Sequence, residues 1–235
     1  MVQTQKSVCA NCEKSTLLNT KYCAYCGQKQ DVLQRPFYKV VADTLHESLD
    51  IDGRLILTLR TLLLSPGKIT YDYNLGKRQT YTPPLRMYLV ISILFFLFIA
   101  QFDISSEQSS EKLTRFYDYF PKLMVLLLPV FALIIQLMFR GTFYIANLIF
   151  SVHIHCFAYL CLAALLPLET YETISLWVLI AQLPISAYLV YYIAKAIKLN
   201  FGQTWLKTIS KTTFLIIFYA VIVMFTLEYT HHYFI

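Results

Sequence analysis

Residues Leu85–Phe102 read LRMYLVISILFFLFIAQF, and between Met87 and Ala100 only Ser92 carries a polar side chain. A helix of that length matches a hydrocarbon core of roughly 30 Å, which takes about 17–25 residues to cross. The apolar run is continuous rather than alternating, which excludes a strand of a transmembrane β-barrel. Working outward, four more stretches have the same character: Pro121–Phe139, Phe143–Leu166, Ile174–Ile197 and Thr212–Tyr229. In lipid every backbone N–H and C=O must be satisfied within its own segment, so helices are expected throughout. The expected body of the protein, residues 85–235, is therefore an all-α bundle of five transmembrane helices.

Composition agrees. Of 235 residues, 57% are hydrophobic and 14% charged, and the mean hydropathy is +0.53. That is more apolar surface than one soluble core buries. It also excludes a secreted disulfide scaffold or a disordered chain. Charge is placed unevenly, since residues 1–86 hold 12 of the 20 Lys and Arg and four of the six Cys. The first 20 residues lack the basic, apolar, small-residue order of a cleavable signal, so the amino terminus is expected in the cytosol. With that end inside, only Lys112, Arg115 and Lys122 lie on the outer side, and the outer connections are acidic instead, with Asp103, Glu107, Glu111, Asp118, Glu169 and Glu172. Cytosolic loops carry the excess of Lys and Arg, so the expected topology is multi-pass, amino terminus in and carboxyl terminus out.

The strongest local signal is Cys9-x-x-Cys12, ten intervening residues, then Cys23-x-x-Cys26. Two such knuckles can present four thiolates tetrahedrally, as a structural Zn²⁺ site requires. Gly27 follows the last ligand, where a tight turn asks for positive φ. Lys6, Lys14, Lys21 and Lys29 surround the site and offset the charge of four thiolates on one dication. Residues 1–34 otherwise have little to bury, so this ribbon is expected to fold because metal binds. Disulfides or a redox C-x-x-C are the other readings; a reducing cytosol opposes the first and the lack of a βαβ setting the second. Four cysteines leave no open coordination position, so the zinc is expected to be structural rather than catalytic.

Residues 35–84 link ribbon and bundle. Phe37, Val40, Val41, Leu45 and Leu49 recur at helical spacing, predicting an amphipathic helix. A second begins at Arg54 and runs through Leu55, Leu59, Leu62 and Leu63 to Ser65-Pro66-Gly67. It is too short to span, so it is expected at the interface or packed on the bundle. Lys68, Lys77, Arg78 and Arg86 then precede the first span. Two readings fit them: contact with anionic lipid headgroups, and ordinary positive-inside flanking.

The order Cys26-Gly27-Gln28 closing a ribbon, then Leu63-Leu64-Ser65-Pro66-Gly67-Lys68, Tyr73-Asn74-Leu75-Gly76-Lys77-Arg78 and Tyr81-Thr82-Pro83-Pro84-Leu85-Arg86-Met87-Tyr88, resembles a bacterial membrane family, the domain of unknown function 3667 group. The resemblance covers roughly residues 9–100. It implies an integral inner-membrane protein with a small zinc ribbon before several transmembrane helices, and it implies no reaction.

Within the bundle, His153-Ile154-His155-Cys156 falls near mid-membrane, where ionisable residues are costly and mark functional sites by default. At about 100° per residue His153 and Cys156 share a face while His153 and His155 point nearly opposite ways, so the two histidines cannot ligate one metal from a regular helix. The competing reading is neutral histidines hydrogen-bonded between helices. Gln182, beside Pro184 in the fourth span, joins this candidate polar site. Gln136, Arg140 and Asn147 surround the turn between spans two and three, as a cytoplasm-facing polar pocket or as helix caps. Gly67-Lys68 and Gly76-Lys77 are not P-loops, because Leu62 and Tyr71 stand where the earlier Gly is needed. No G-x-S-x-G, H-E-x-x-H or paired-carboxylate motif occurs, and the basic balance is explained by topology before nucleic acid is invoked.

The expected function is therefore that of a non-enzymatic inner-membrane protein, with the zinc ribbon as a cytosolic docking or accessory module for a protein partner and membrane lipids around the bundle. The rival is a small transporter or membrane-embedded enzyme using His153, His155, Cys156 and Gln182, as a homo-oligomer because five short spans make a small pathway.

Overall fold

The computed structural model describes residues 6–17, 20–29, 53–104, 111–169 and 176–234. Two short strands open it, β1 (Lys6–Val8) and β2 (Ser15–Leu17), antiparallel with Lys6 opposite Leu17 and Val8 opposite Ser15. Seven helices follow among the described residues: α1 (Gly53–Leu64), α2 (Lys68–Asn74), α3 (Pro84–Ile104), α4 (Glu111–Met138), α5 (Tyr144–Glu169), α6 (Leu176–Phe201) and α7 (Trp205–Phe234). The amphipathic helix expected around Phe37–Leu49 lies outside the described residues.

Among the described residues three helices are long and apolar enough to cross a membrane, over Tyr144–Leu165, Ile180–Phe201 and Trp205–Thr226, which makes this a helical chain compatible with a membrane protein. The expectation was five. The other two apolar stretches, Pro84–Ile99 in α3 and Leu123–Met138 in α4, are shorter. Helix ends also differ from the apolar boundaries: α4 begins ten residues before Pro121 and α7 seven before Thr212. Backbone hydrogen bonding continues a helix past the point where its side chains turn polar, so the periodic apolar signal underestimates its length.

α5 is the central helix. In its apolar window 56% of residues are buried, against 28% for α6 and 17% for α7, and it packs on α3, α4 and α6. Its sequence explains this, because polar groups sit around it where each neighbour offers a partner. Ser151 Oγ donates to the Leu128 carbonyl of α4 (2.9 Å). His155 Nδ1 lies 2.8 Å from the Ser151 carbonyl, which can only accept, so Nδ1 carries the proton and Nε2 accepts from Tyr219 Oη of α7 at 2.7 Å. Phe157 stacks on Tyr192 of α6, centroids 3.6 Å apart, and Tyr88 of α3 reaches Tyr159 (3.2 Å between hydroxyls). Buried polar groups must be paired, and those pairs that cross between helices also fix the helix–helix register.

α1 and α2 form a hairpin on this bundle rather than a free surface helix. Gly67, at the tip, has φ +75°, and a Cβ there would stand 2.7 Å from the Ala196 Cα of α6. Only glycine allows both the left-handed turn and that approach. Asn200 Nδ2 donates to the Gly67 carbonyl (3.0 Å), Tyr188 Oη to the Leu63 carbonyl (2.6 Å), and Thr70 Oγ1 meets His153 Nδ1 at 2.6 Å. The return strand of chain is closed by Thr58, whose Oγ1 donates to the Arg54 carbonyl (2.6 Å) and accepts from the Thr82 amide (2.9 Å).

Candidate metal centre and the hairpin that carries it

The two knuckles are built alike. In the first, the Cys9 amide donates to the Lys14 carbonyl (3.0 Å) and the Glu13 amide to the Cys9 carbonyl (2.9 Å); in the second, Cys23 donates to Gln28 (2.8 Å) and Gly27 to Cys23 (2.9 Å). The residue after each second cysteine is left-handed, Glu13 at φ 60° and Gly27 at φ 70°. Gly27 was expected there; Glu13 was not, because glutamate adopts that conformation only when the surrounding turn imposes it. Each knuckle aims two sulfurs at one point.

All four sulfurs lie within 4.8 Å of one another, with Cys9 Sγ 3.7 Å from Cys26 Sγ and Cys12 Sγ 3.7 Å from Cys23 Sγ. A disulfide would need about 2.05 Å. A tetrahedron of sulfurs at the Zn–S length of about 2.3 Å has edges of about 3.8 Å, so the cysteines fit a four-coordinate metal ion. Burial alone raises the Cys23 thiol, but hydrogen bonds from the Tyr25 and Cys26 backbone and from the Cys26 and Cys12 thiols bring it down to about 7. Burial and the neighbouring thiols push Cys26 up to about 12. A second negative sulfur beside the first is disfavoured until a cation offsets it.

The ribbon is seated on the chain that follows the hairpin. Gln28 Nε2 donates to the Gly76 carbonyl (2.8 Å), and its Oε1 accepts from the Arg78 amide (3.1 Å). From the other knuckle, Asn11 Oδ1 accepts from Thr80 Oγ1 (2.9 Å) and the Gln79 amide (3.3 Å), while Glu13 Oε1 pairs with Lys77 Nζ (3.2 Å). Both knuckles thus grip residues 76–80. That segment is tied back to the hairpin by Arg54 Nη1 to Gln79 Oε1 (3.0 Å) and by Tyr81 Oη to Asp72 Oδ2 (2.8 Å). Burial, the Asp72 hydrogen bond and its charge push Tyr81 up to about 12, so it remains a donor at physiological pH. The motif residues Cys26-Gly27-Gln28 and Gly76-Lys77-Arg78, far apart in sequence, meet here.

Residues 52–96 match the family model described as protein of unknown function, DUF3667. The match is local, spanning 45 of the chain's 235 residues. It comprises α1, α2, the clamped stretch 76–80 and the start of α3, whereas the ribbon precedes it. The DUF3667 match therefore falls on the part of the resemblance that forms the hairpin. Neither curated proteins nor solved structures give a match to the chain.

The other candidate residues are dispersed. Lys68 pairs with Asp72 (3.3 Å), Lys77 with Glu13, and the Arg78 guanidinium lies over the Tyr73 ring at 5.4 Å. Arg86 is half-buried in the first turn of α3. His153 meets the DUF3667 hairpin through Thr70, with its Nε2 buried and unpartnered among the described residues, whereas His155 meets α7. Cys156 is fully buried. Gln182 is half-buried on α6, ten residues from the Tyr192 that stacks on Phe157, or about 15 Å of helix rise. The structure does not gather the histidines, Cys156 and Gln182 into one site. Around the α4–α5 turn, Gln136 Nε2 donates to the Thr142 carbonyl (2.8 Å) and Asn147 Nδ2 to Gln136 Oε1 (2.6 Å), so these two close the turn.

Proposed function

We propose that this chain is a non-enzymatic integral protein of the bacterial inner membrane whose zinc ribbon is a rigid docking module, held against the DUF3667 hairpin at the cytosolic face. The observation that carries the reading is a four-cysteine ribbon anchored from both knuckles while Val8, Tyr22 and Tyr25 stay 68%, 54% and 62% exposed. Lys14 Nζ lies 4.6 Å over the Tyr25 ring. Exposed aromatic groups beside a cation, on a frame that loses little entropy on binding, suit a protein partner.

In this reading α3 and α4, 21 and 28 residues long, complete five spans. The topology is supported by the meeting of two turns: Phe139 stacks on Phe201 with centroids 4.1 Å apart, which brings Arg140, Lys198, Lys207 and Lys211 to one end, as a cytosolic face requires. Zinc is the metal of choice for four thiolates in tetrahedral array.

Photocrosslinking from a ribbon position in native membranes tests docking, comparing wild type with Tyr22→Ser/Tyr25→Ser, which leaves all four cysteines. The reading expects a discrete crosslinked partner in wild type and its loss in the variant with metal content unchanged. A partner captured equally well by the variant contradicts it.

A further inference from the structure

Where the α4–α5 turn meets the end of α6 and the start of α7 there is a cavity of about 470 Å³, lined among others by Leu137, Arg140, Asn200, Gln203 and Lys211. None of its lining residues is acidic. Arg140 is exposed and has no ion pair among the described residues. Lys211 Nζ uses one of its three donors on the Met138 carbonyl (3.0 Å) and lies 4.1 Å over the Phe139 ring, which holds the ammonium in place with donors to spare. Two cations with no acidic residue beside them call for an anion.

The surroundings specify the rest of the ligand. Leu137 at the cavity is 72% exposed, and one helix face continues from it through Leu133 and Leu126, also exposed. On α7, which packs on α4, Phe214 and Phe218 lie one and two turns beyond Lys211 on its face, rings stacked at 5.6 Å and exposed. A charged cavity thus opens onto two uncovered apolar tracks running along the bundle. A soluble anion has no use for the tracks; an amphiphile needs both parts.

We propose that this cavity binds the phosphodiester headgroup of an anionic glycerophospholipid, with Arg140 and Lys211 on the phosphate and the acyl chains along Leu133, Leu126, Phe214 and Phe218. Charge-assisted contacts of this kind are about twice as strong as neutral ones, so two cations together confer selectivity over zwitterionic lipid. The proposal rests on the membrane reading, not on docking by the ribbon. Carbonate extraction reports the former separately.

The test is native mass spectrometry of the delipidated full-length protein titrated with phosphatidylglycerol, phosphatidylcholine or inorganic phosphate. Wild type is expected to retain one phosphatidylglycerol in preference to phosphatidylcholine. Arg140→Gln/Lys211→Gln is expected to weaken that adduct by about tenfold or more. Because Lys211 also caps α4, Leu137→Glu serves as a second variant: it touches no packing and places a negative charge at the mouth, with the same expected loss. Lys207→Gln, an equal charge change outside the cavity, should leave the adduct intact. Equal adducts in wild type and both cavity variants, equal loss in Lys207→Gln, or saturation by inorganic phosphate at the concentration where the lipid binds would each overturn it.

Discussion

Replacing Gln28 by Ala removes a side chain that bonds two backbone groups of the clamped stretch, the Gly76 carbonyl at 2.8 Å and the Arg78 amide at 3.1 Å. Neutral hydrogen bonds contribute about 0.5–1.5 kcal/mol each, so the pair is worth about 1–3 kcal/mol of ribbon seating. The cost stays near that range because both groups are only partly buried, and water can reach them once the amide is gone. Expressed as exchange, the Arg78 amide should lose between about fivefold and about 150-fold of its protection. Hydrogen–deuterium exchange on the full-length protein in nanodiscs, read on a peptide covering residues 76–82, measures this directly. Gln28→Glu keeps the acceptor for Arg78 but not the donor to Gly76, and should fall between Ala and wild type. Protection in Gln28→Ala equal to wild type would mean that the ribbon does not hold that stretch.

Other consequences follow from single sites. Gly67→Ala needs a left-handed alanine with its Cβ 2.7 Å from the Ala196 Cα, and should cost more than about 2 kcal/mol, seen as a lowered Tm. Tyr219→Phe leaves the His155 Nε2 lone pair without its donor and should cost about 1–3 kcal/mol while membrane insertion is unchanged, which thermal melting and fractionation together check. In the folded four-cysteine geometry Cys23, lowered to about 7, gives stability that is full above its ordinary value and fades as pH falls through 7. Cys26, raised to about 12, does the reverse, its contribution lost as pH climbs toward 12. Zinc uptake should therefore release the Cys26 proton throughout the neutral range, with the Cys23 share shrinking as pH rises through 7; calorimetry in buffers of different ionisation enthalpy counts both.

Much of the fold was legible because it rests on local, repeating signals. The C-x-x-C spacing and Gly27 announce the second knuckle, and apolar runs locate the cores of α3 to α7. Arg54–Leu63 becomes α1 almost to the residue, since Gly53 and Ser65-Pro66-Gly67 bracket it. Helix ends were less legible. Lys207 and Lys211 occupy the first turns of α7, where a polar stripe hides helix from any reading based on hydropathy. The seat of the ribbon on residues 76–80 was not legible at all. Asn11, Glu13 and Gln28 reach partners about 50 to 70 positions away through ordinary polar groups, which leave no periodicity and no motif. Thr58 and Thr70 were equally silent, being neutral residues whose role appears only when a facing amide or imidazole is in place. His153 and His155 stood out in sequence because they are ionisable at depth; their partners, Thr70 and Tyr219, did not.

The ribbon seats on residues 76–80, so loss of its metal should be felt there. The most direct measurement is hydrogen–deuterium exchange of the wild-type protein in nanodiscs with and without a zinc chelator, read on the ribbon, on residues 76–82 and on α5. Chelation is expected to deprotect the ribbon and residues 76–82 together while α5 is unaffected. A ribbon that loses its metal and its protection while residues 76–82 keep theirs would contradict it.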